Sequence, residues 1–393
     1  MSFPENEIRK LNIAMVAACP FPANHGTPGS IREMAQAVSD QGHKVHIVTY
    51  PFGEGDNPSG VKLHRISGLG LKKKIVVGPT KEKPILDVLM VFTLIRVIQK
   101  EKIDIIHGHN YEGALIGFLG KILTGRPLVY NAINNMIDEL PSYNFFKPKI
   151  LAVWLANILD FIVPRMADQI IAISEELVQF LIGQNINPNR VHFIPLGVNT
   201  QPFEGFDQTT SRKILGLGEN PLVVYTGTVD HFQRIDYLLK AMGIVCQQIP
   251  EVKLLIVANI ASEKDVNELK EFIKDLNLEN NVDFVLNKSL EEVPHFISAA
   301  DVAVVSRPDC PGFPVKLLNY MAASKPIVLF EGTSKGLEHL KNVFIVEDHD
   351  WKGMGHGIIT LLNDPGLAER MAQNVKRWVK ENYEWEGLIE RIE

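Results

Sequence analysis

Two series of short, mostly β-branched apolar runs, separated by helical repeats, leave this 393-residue chain few folds to choose from. The runs at 11–18, 45–50, 103–107, 128–130, 169–174 and 191–195 fill the first half. Those at 222–225, 253–258, 282–286, 302–306, 326–330 and 343–346 fill the second. Near-continuous apolar runs suit parallel strands buried on both faces. Between the first two, Ile31, Met34, Ala35 and Val38 repeat at helical spacing, and Gly42 stands where a C-terminal cap belongs. Such alternation builds right-handed βαβ units and doubly wound sheets. The rhythm breaks at 197–206, a turn-rich connector. The expectation is an α/β chain of two facing Rossmann-like, doubly wound domains, 1–200 and 201–372. Its site is expected in the interdomain cleft, at the carboxyl ends of the strands.

Several classes are set aside. Three cysteines (Cys19, Cys246, Cys310) lie too far apart for a zinc ribbon or disulfide framework and suit a reducing compartment. The opening MSFPENEIRK has no apolar core of a signal peptide. The longest apolar stretch, 150–163, is interrupted by Asn157 and Asp160 and is too short to span a bilayer. A cytoplasmic protein is expected. The first 200 residues hold 20 Lys+Arg against 17 Asp+Glu, and the rest hold 20 against 29. Neither half is basic enough for a nucleic-acid partner. A dinucleotide fingerprint GxGxxG does not follow the first strand, which runs instead into a loop with Pro20, Pro22, Gly26 and Gly29.

Further segments carry a resemblance. They include the Gly26-Thr27 loop, 37–50, Asp104-Ile-Ile-His-Gly-His-Asn-Tyr-Glu-Gly113, 167–174 and 191–199. In the second half they are Tyr225-Thr-Gly-Thr228, 235–241, Ala300-Asp-Val-Ala-Val-Val-Ser306 and 316–328. In this order they resemble a GT-B glycosyltransferase, similar to family 4 of the retaining, nucleotide-sugar-dependent enzymes. The resemblance covers nearly the whole chain. It implies sugar transfer without metal or other cofactor, the nucleotide sugar being a substrate. It also implies a carbohydrate or lipid-linked acceptor, and a terminal segment at 373–393 that crosses back to the first domain.

A nucleotide sugar carries a diphosphate whose charge grows as the glycosidic bond breaks, so its site must present cations or backbone N–H groups. Residues 302–306 end a strand, 307–314 form a Pro/Gly loop and 315–323 read as a helix. Lys316 thus falls in a first helical turn, where a cation opposes the macrodipole by up to about 1 kcal/mol. A bound anion reverses that penalty; the alternative is a solvated lysine. Asn319 follows one turn on, either a ribose contact or a surface amide. Arg307 either reaches the same phosphates or caps the loop. Gly26 and Thr27 form a second candidate anion cradle, or a plain turn.

The resemblance has departures. Thr228 and Gln233 stand where the family commonly has Arg and Lys; Arg234 or Lys316, the latter in Pro314-Val-Lys-Leu317, is the candidate replacement for that charge. Ile133 stands where a His is usual, and Pro311 where a Glu is. A GT-B-shaped binding or scaffold protein without turnover is therefore the alternative function, and a nucleotide-sugar epimerase a third.

On the acceptor side, Glu112 and Glu139 each either orient a hydroxyl or serve as a cap or surface carboxylate. Lys72, Lys73, Lys74, Lys81 and Lys83, with Phe145, Phe146, Trp154 and 150–163, form either a contact for an anionic membrane or an exposed loop and core helix. His107 and His109 read as a turn-stabilising pair rather than metal ligands, and Asp348-His-Asp350 as a solvated loop. No metal is required.

Overall fold

Each half of the chain folds around its own parallel sheet. The computed structural model describes residues 9–392 except 24, 25, 54, 56, 69–79, 81, 143–147, 287, 289–291, 309, 311 and 312. Two units emerge: Met1–Leu196 together with Trp385–Glu393, and Gly197–Glu384.

The first sheet contains β1 (Asn12–Ala17), β2 (Lys44–Thr49), β3 (Lys62–Arg65), β4 (Ile105–His109), β5 (Leu128–Ala132), β6 (Gln169–Ala172) and β7 (Val191–Phe193) in the order β3-β2-β1-β4-β5-β6-β7. Its helices are α1 (Gly26–Asp40), α2 (Lys83–Lys100), α3 (Asn110–Thr124), α4 (Met136–Glu139), α5 (Lys149–Met166) and α6 (Glu175–Gly183). Strand β1 shows why its run is apolar without alternation. Ala14 and Val16 join the core under α2 and α3, while Met15 and Ala17 join the core under α1. Edge strand β3, Lys-Leu-His-Arg, was not expected, because it carries no apolar run. Its charged, partly exposed side chains suit an edge that must not recruit a further strand.

The second sheet contains β8 (Leu222–Val229), β9 (Lys253–Ala261), β10 (Val282–Leu286), β11 (Val302–Val305), β12 (Ile327–Phe330) and β13 (Phe344–Val346) in the order β10-β9-β8-β11-β12-β13. Its helices are α7 (Gln208–Leu215), α8 (Ile235–Gln248), α9 (Glu263–Asp275), α10 (Val293–Ala299), α11 (Val315–Ala322), α12 (Trp351–Asn363) and α13 (Pro365–Tyr383). The last helix, α14 (Trp385–Ile392), returns to the first unit, where Trp385, Leu388 and Ile389 pack with Met15, Ile31 and Met34. The return occurs at Trp385 rather than at 373, since α13 belongs wholly to the second unit. Val198 N donates to Tyr383 O at 2.8 Å, so the two chain segments that leave the second unit lie side by side.

Both sheets reverse their strand order once, between β1 and β4 and between β8 and β11. Such reversals open a crevice at the strands' carboxyl ends. In the first unit, close approach there depends on glycine. A Cβ on Gly108 would lie 2.6 Å from Gly113 O, and one on Gly113 would lie 2.6 Å from Val16 O. Among the described residues, no helix is long and apolar enough to cross a membrane.

Candidate functional site

The reversal in the second unit gathers most of the polar donor-side residues that the sequence singles out. Strand β8 runs past its apolar stretch, and its register against β9 shifts between Gly227 and Thr228. Irregularities of this kind re-aim side chains at a strand end. Asp230 then caps a short turn, accepting from Phe232 N at 2.9 Å, Gln233 N at 3.1 Å and Thr228 Oγ1 at 2.8 Å. The neighbouring loop is fastened by Ser306 Oγ, which donates to Gln233 O at 2.8 Å. Helix α11 starts after Pro314, whose φ of −75° ends the loop.

Lys316, on the first turn of α11, is held over this floor. Its Nζ donates to Tyr225 Oη and to Gln233 Oε1, each at 2.8 Å, and lies 4.0 Å from the centre of the Tyr225 ring. The Tyr225 hydroxyl in turn donates to Thr228 O at 2.8 Å. Tyr320, buried on α11, accepts from Thr226 N at 2.7 Å and locks helix to strand. Gly227, at φ +132°, gives the amine room: a Cβ there would lie 2.9 Å from Lys316 Nζ. Burial pulls the Lys316 ammonium down to about 7; Asp230 and Cys310 oppose the shift, and Arg307 adds to it. Arg307 and Lys316 therefore feel one another's charge. Asp230 is the carboxylate that balances them.

The other donor-side candidates separate. Asn319 sits one turn beyond Lys316, half-buried on α11. Arg234 has φ +50° and turns its guanidinium onto Asp236, at 2.9 and 3.0 Å, and over the Tyr237 ring at 3.6 Å. That charge is answered within its own turn, so Gln233 Oε1 meets Lys316 and not Arg234. Gly26 and Thr27 lie in the first unit, where they open α1 itself.

The reversal in the first unit is built differently. Lys83 Nζ lies 3.7 Å from Glu112 Oε1, at the first turns of α2 and α3. Tyr50 Oη donates to Asp87 Oδ1 at 2.6 Å. Burial lifts the Asp87 carboxyl to about 6; the Tyr50 bond opposes the rise, Glu112 adds to it and Lys83 counters it. Burial, with Glu112, pushes the Cys19 thiol up to about 12. Glu139 accepts from Asn134 Nδ2.

The remaining candidates are structural. The rings of His107 and His109 stack at 4.4 Å, with His109 Nδ1 3.1 Å from Asn131 Nδ2, and burial lowers His107 to about 4, so both stay neutral. Asp348 accepts from Gly332 N and Asp350 caps α12. Among the described residues, one trio has metal-ligand spacing: His46, His64 and Glu101. There the imidazoles face each other at 3.1 Å and Lys62 Nζ holds Glu101 at 2.7 Å. Lys72–Lys74, Lys81, Phe145, Phe146 and Pro311 lie outside the described residues.

Sequence reasoning missed Tyr225, Ser306 and Asp230 as members of the site. Tyr225 closes an apolar run and reads as core. Asp230 was visible in principle, as a capping residue three positions before Gln233.

Comparison with known proteins agrees with this architecture. The model of glycosyl transferases group 1 matches residues 207–378, and that of glycosyltransferase family 4 matches 26–202. The capsular polysaccharide biosynthesis glycosyltransferase CapM of Staphylococcus aureus is 24% identical over 317 residues, 78% of this chain and 80% of that protein. The structure of sucrose-phosphate synthase from Thermosynechococcus elongatus matches with a TM-score of 0.82 at 19% identity, covering 98% of this chain and 97% of that one. Anabaena Alr3699/HepE in complex with UDP-glucose matches with a TM-score of 0.74 at 18% identity, covering 97% and 98%.

Proposed function

Since the chain is a GT-B-fold glycosyltransferase resembling family 4, we propose that it transfers a sugar from a nucleotide-sugar donor to a lipid-linked or surface glycan, retaining the anomeric configuration and using no metal. The second unit holds the donor and the first holds the acceptor. Lys316 and Arg307 meet the diphosphate, Thr228 and Gln233 line its approach, and Asn319 bonds the ribose.

The reading is carried by one observation: a half-buried amine, suspended between Tyr225 Oη and Gln233 Oε1 beside a second cation, at the β8/β11 reversal. With its pKa near 7, that amine binds an anion and takes up a proton in doing so. As the bond from the sugar C1 to the β-phosphate oxygen breaks, negative charge collects on the leaving diphosphate, and a preset cation stabilises that charge more than the ground state. The acceptor oxygen bonds to C1, and its proton passes to the departing phosphate oxygen. No protein nucleophile is required. Glu112, held by Lys83, orients the acceptor hydroxyl, as Glu139 does from α4. The metal-independent reading is supported by two cations that could take the role a divalent ion would fill.

Work in the cytoplasm, at the inner face of a membrane, accords with a lipid-linked acceptor and with the part that CapM's name gives it in capsular polysaccharide biosynthesis. A thermal-shift panel of nucleotide sugars tests the reading. A donor at 100 times its Kd adds about 2.7 kcal/mol of stability, and hydrolysis of that donor should follow. Absence of a shift with every donor would overturn it.

A further inference from the structure

One cluster of metal-ligating side chains lies outside the groups assigned to sugar transfer, and strand register builds it. His46 pairs with Lys62 and Val48 with His64, so His46 and His64 are diagonal neighbours on one face of the β2/β3 pair. Val48, on that face, joins the core under α2, and α2 packs on both strands. The helix ends beside the imidazoles, with Glu101 as its C-cap. His46 Nδ1 lies 3.1 Å from His64 Nε2. One ligand atom from each of His46, His64 and Glu101 lies within 4.8 Å of the other two.

We infer that His46, His64 and Glu101 form a binding site for a divalent cation of the zinc class, which clips edge strand β3 to the end of α2. Imidazole nitrogen and carboxylate oxygen are zinc ligands, with bonds of about 2.0–2.2 Å. In a tetrahedral shell, bonds of that length set neighbouring ligand atoms about 3.3 Å apart. The two nitrogens already stand at 3.1 Å. An ion enters by a small spreading of the rings, and two metal bonds replace the one hydrogen bond between them. A fourth position is left for water. The carbonyl end of α2 adds negative potential beside the ion. Nitrogen donors select zinc over magnesium or calcium, which take oxygen ligands.

The competitor for this site is Lys62, whose Nζ holds Glu101 Oε1 at 2.7 Å. Its side chain is 57% exposed. An ion pair so open to water is weak, and a divalent ion displaces it into solvent. Position decides the role. Helix α2 runs 18 residues from Lys83 to Lys100, a length of about 27 Å. The site at its far end is thus remote from Lys83 and Glu112, and the ion takes no part in transfer. What it holds is the edge: β3 has four residues and none of them is buried, so few contacts secure it.

Equilibrium dialysis of the EDTA-treated full chain against zinc chloride, with metal counted per chain, tests the inference. Wild type should hold one zinc, and zinc should raise its melting temperature by several degrees. His64→Gln should bind that zinc about tenfold more weakly or worse; His64 is half-buried, and the zinc-free melting temperature shows whether the variant folds. Lys62→Gln should bind zinc about two- to fivefold more tightly, a gain that a purely structural ion pair would not give. Cobalt(II) in place of zinc should show d–d absorption without a thiolate charge-transfer band. That band would assign the metal to Cys19, Cys246 or Cys310 and overturn the inference. So would zinc binding unchanged in His64→Gln, or no binding by wild type at micromolar zinc. Donor hydrolysis should be the same with and without EDTA, so failure of the metal site leaves the transferase reading standing. Hydrolysis lost on chelation, and restored by zinc in wild type but not in His64→Gln, would overturn the structural role.

Discussion

At the reversal between β8 and β11, the second unit holds Lys316 between Tyr225 Oη and Gln233 Oε1, within reach of the charges of Arg307 and Asp230. At the corresponding reversal between β1 and β4, the first unit sets Asp87 and Glu112, with Lys83 as their cation. The two sheets share a topology, and in both the polar groups at the reversal come from strand ends and the early turns of helices. The chemistry is nonetheless inverted: one end is dominated by cations, the other by carboxylates, of which Asp87 accepts from Tyr50 Oη and Glu112 faces Lys83. Topology fixes where a site can form, and a handful of side chains fix what it takes. Sugar transfer needs both kinds, a stabiliser for the leaving diphosphate and an orienter for the incoming hydroxyl.

The contrast can be broken most directly at Lys316. Lys316→Ala should lower kcat/KM for the donor by roughly 10²–10³, read by initial rates, while the melting temperature holds. A comparable fall from Glu112→Gln would erase the distinction between the ends. The pH dependence comes next. Free enzyme loses the Lys316 proton above about 7, and the diphosphate-bound form keeps it. Binding therefore takes up a proton, and the donor Kd should rise about tenfold per pH unit above that point. Lys316→Arg should flatten the profile, which titration calorimetry in buffers of different ionisation enthalpy would show. Glu112→Gln should raise acceptor KM by about tenfold and leave donor Kd unchanged, since it removes one charge-assisted bond. Thr228→Ala should change donor KM only a few-fold, because its hydroxyl already donates to Asp230.

How far the sequence exposes all this varies with the residue. Strands buried on both faces, such as β1 and β4, announce themselves by unbroken apolar runs. Edge strand β3 does not, because one side of it meets water and its Lys62 and Arg65 look like loop residues. Lys316 was legible, since strand, Pro/Gly loop and helix leave it no other place. The fate of Arg234 was not: a left-handed backbone at φ +50° decides that it meets Asp236. Tyr225 and Asp87 were hidden for another reason. Each lies in an apolar repeat, and only the fold shows that its oxygen faces a partner rather than the core.

The return of α14 has a consequence for biosynthesis. Trp385, Leu388 and Ile389 complete the layer over Met15, Ile31 and Met34, yet about 190 residues are translated between them and the rest of that unit. At ordinary elongation rates this is a delay of roughly ten to forty seconds. The half that leaves the ribosome first is thus sealed last, and chaperone capture in that interval should fall on its unclosed flank. A premature stop or a bulky tag at the far end of the message would be felt at its beginning.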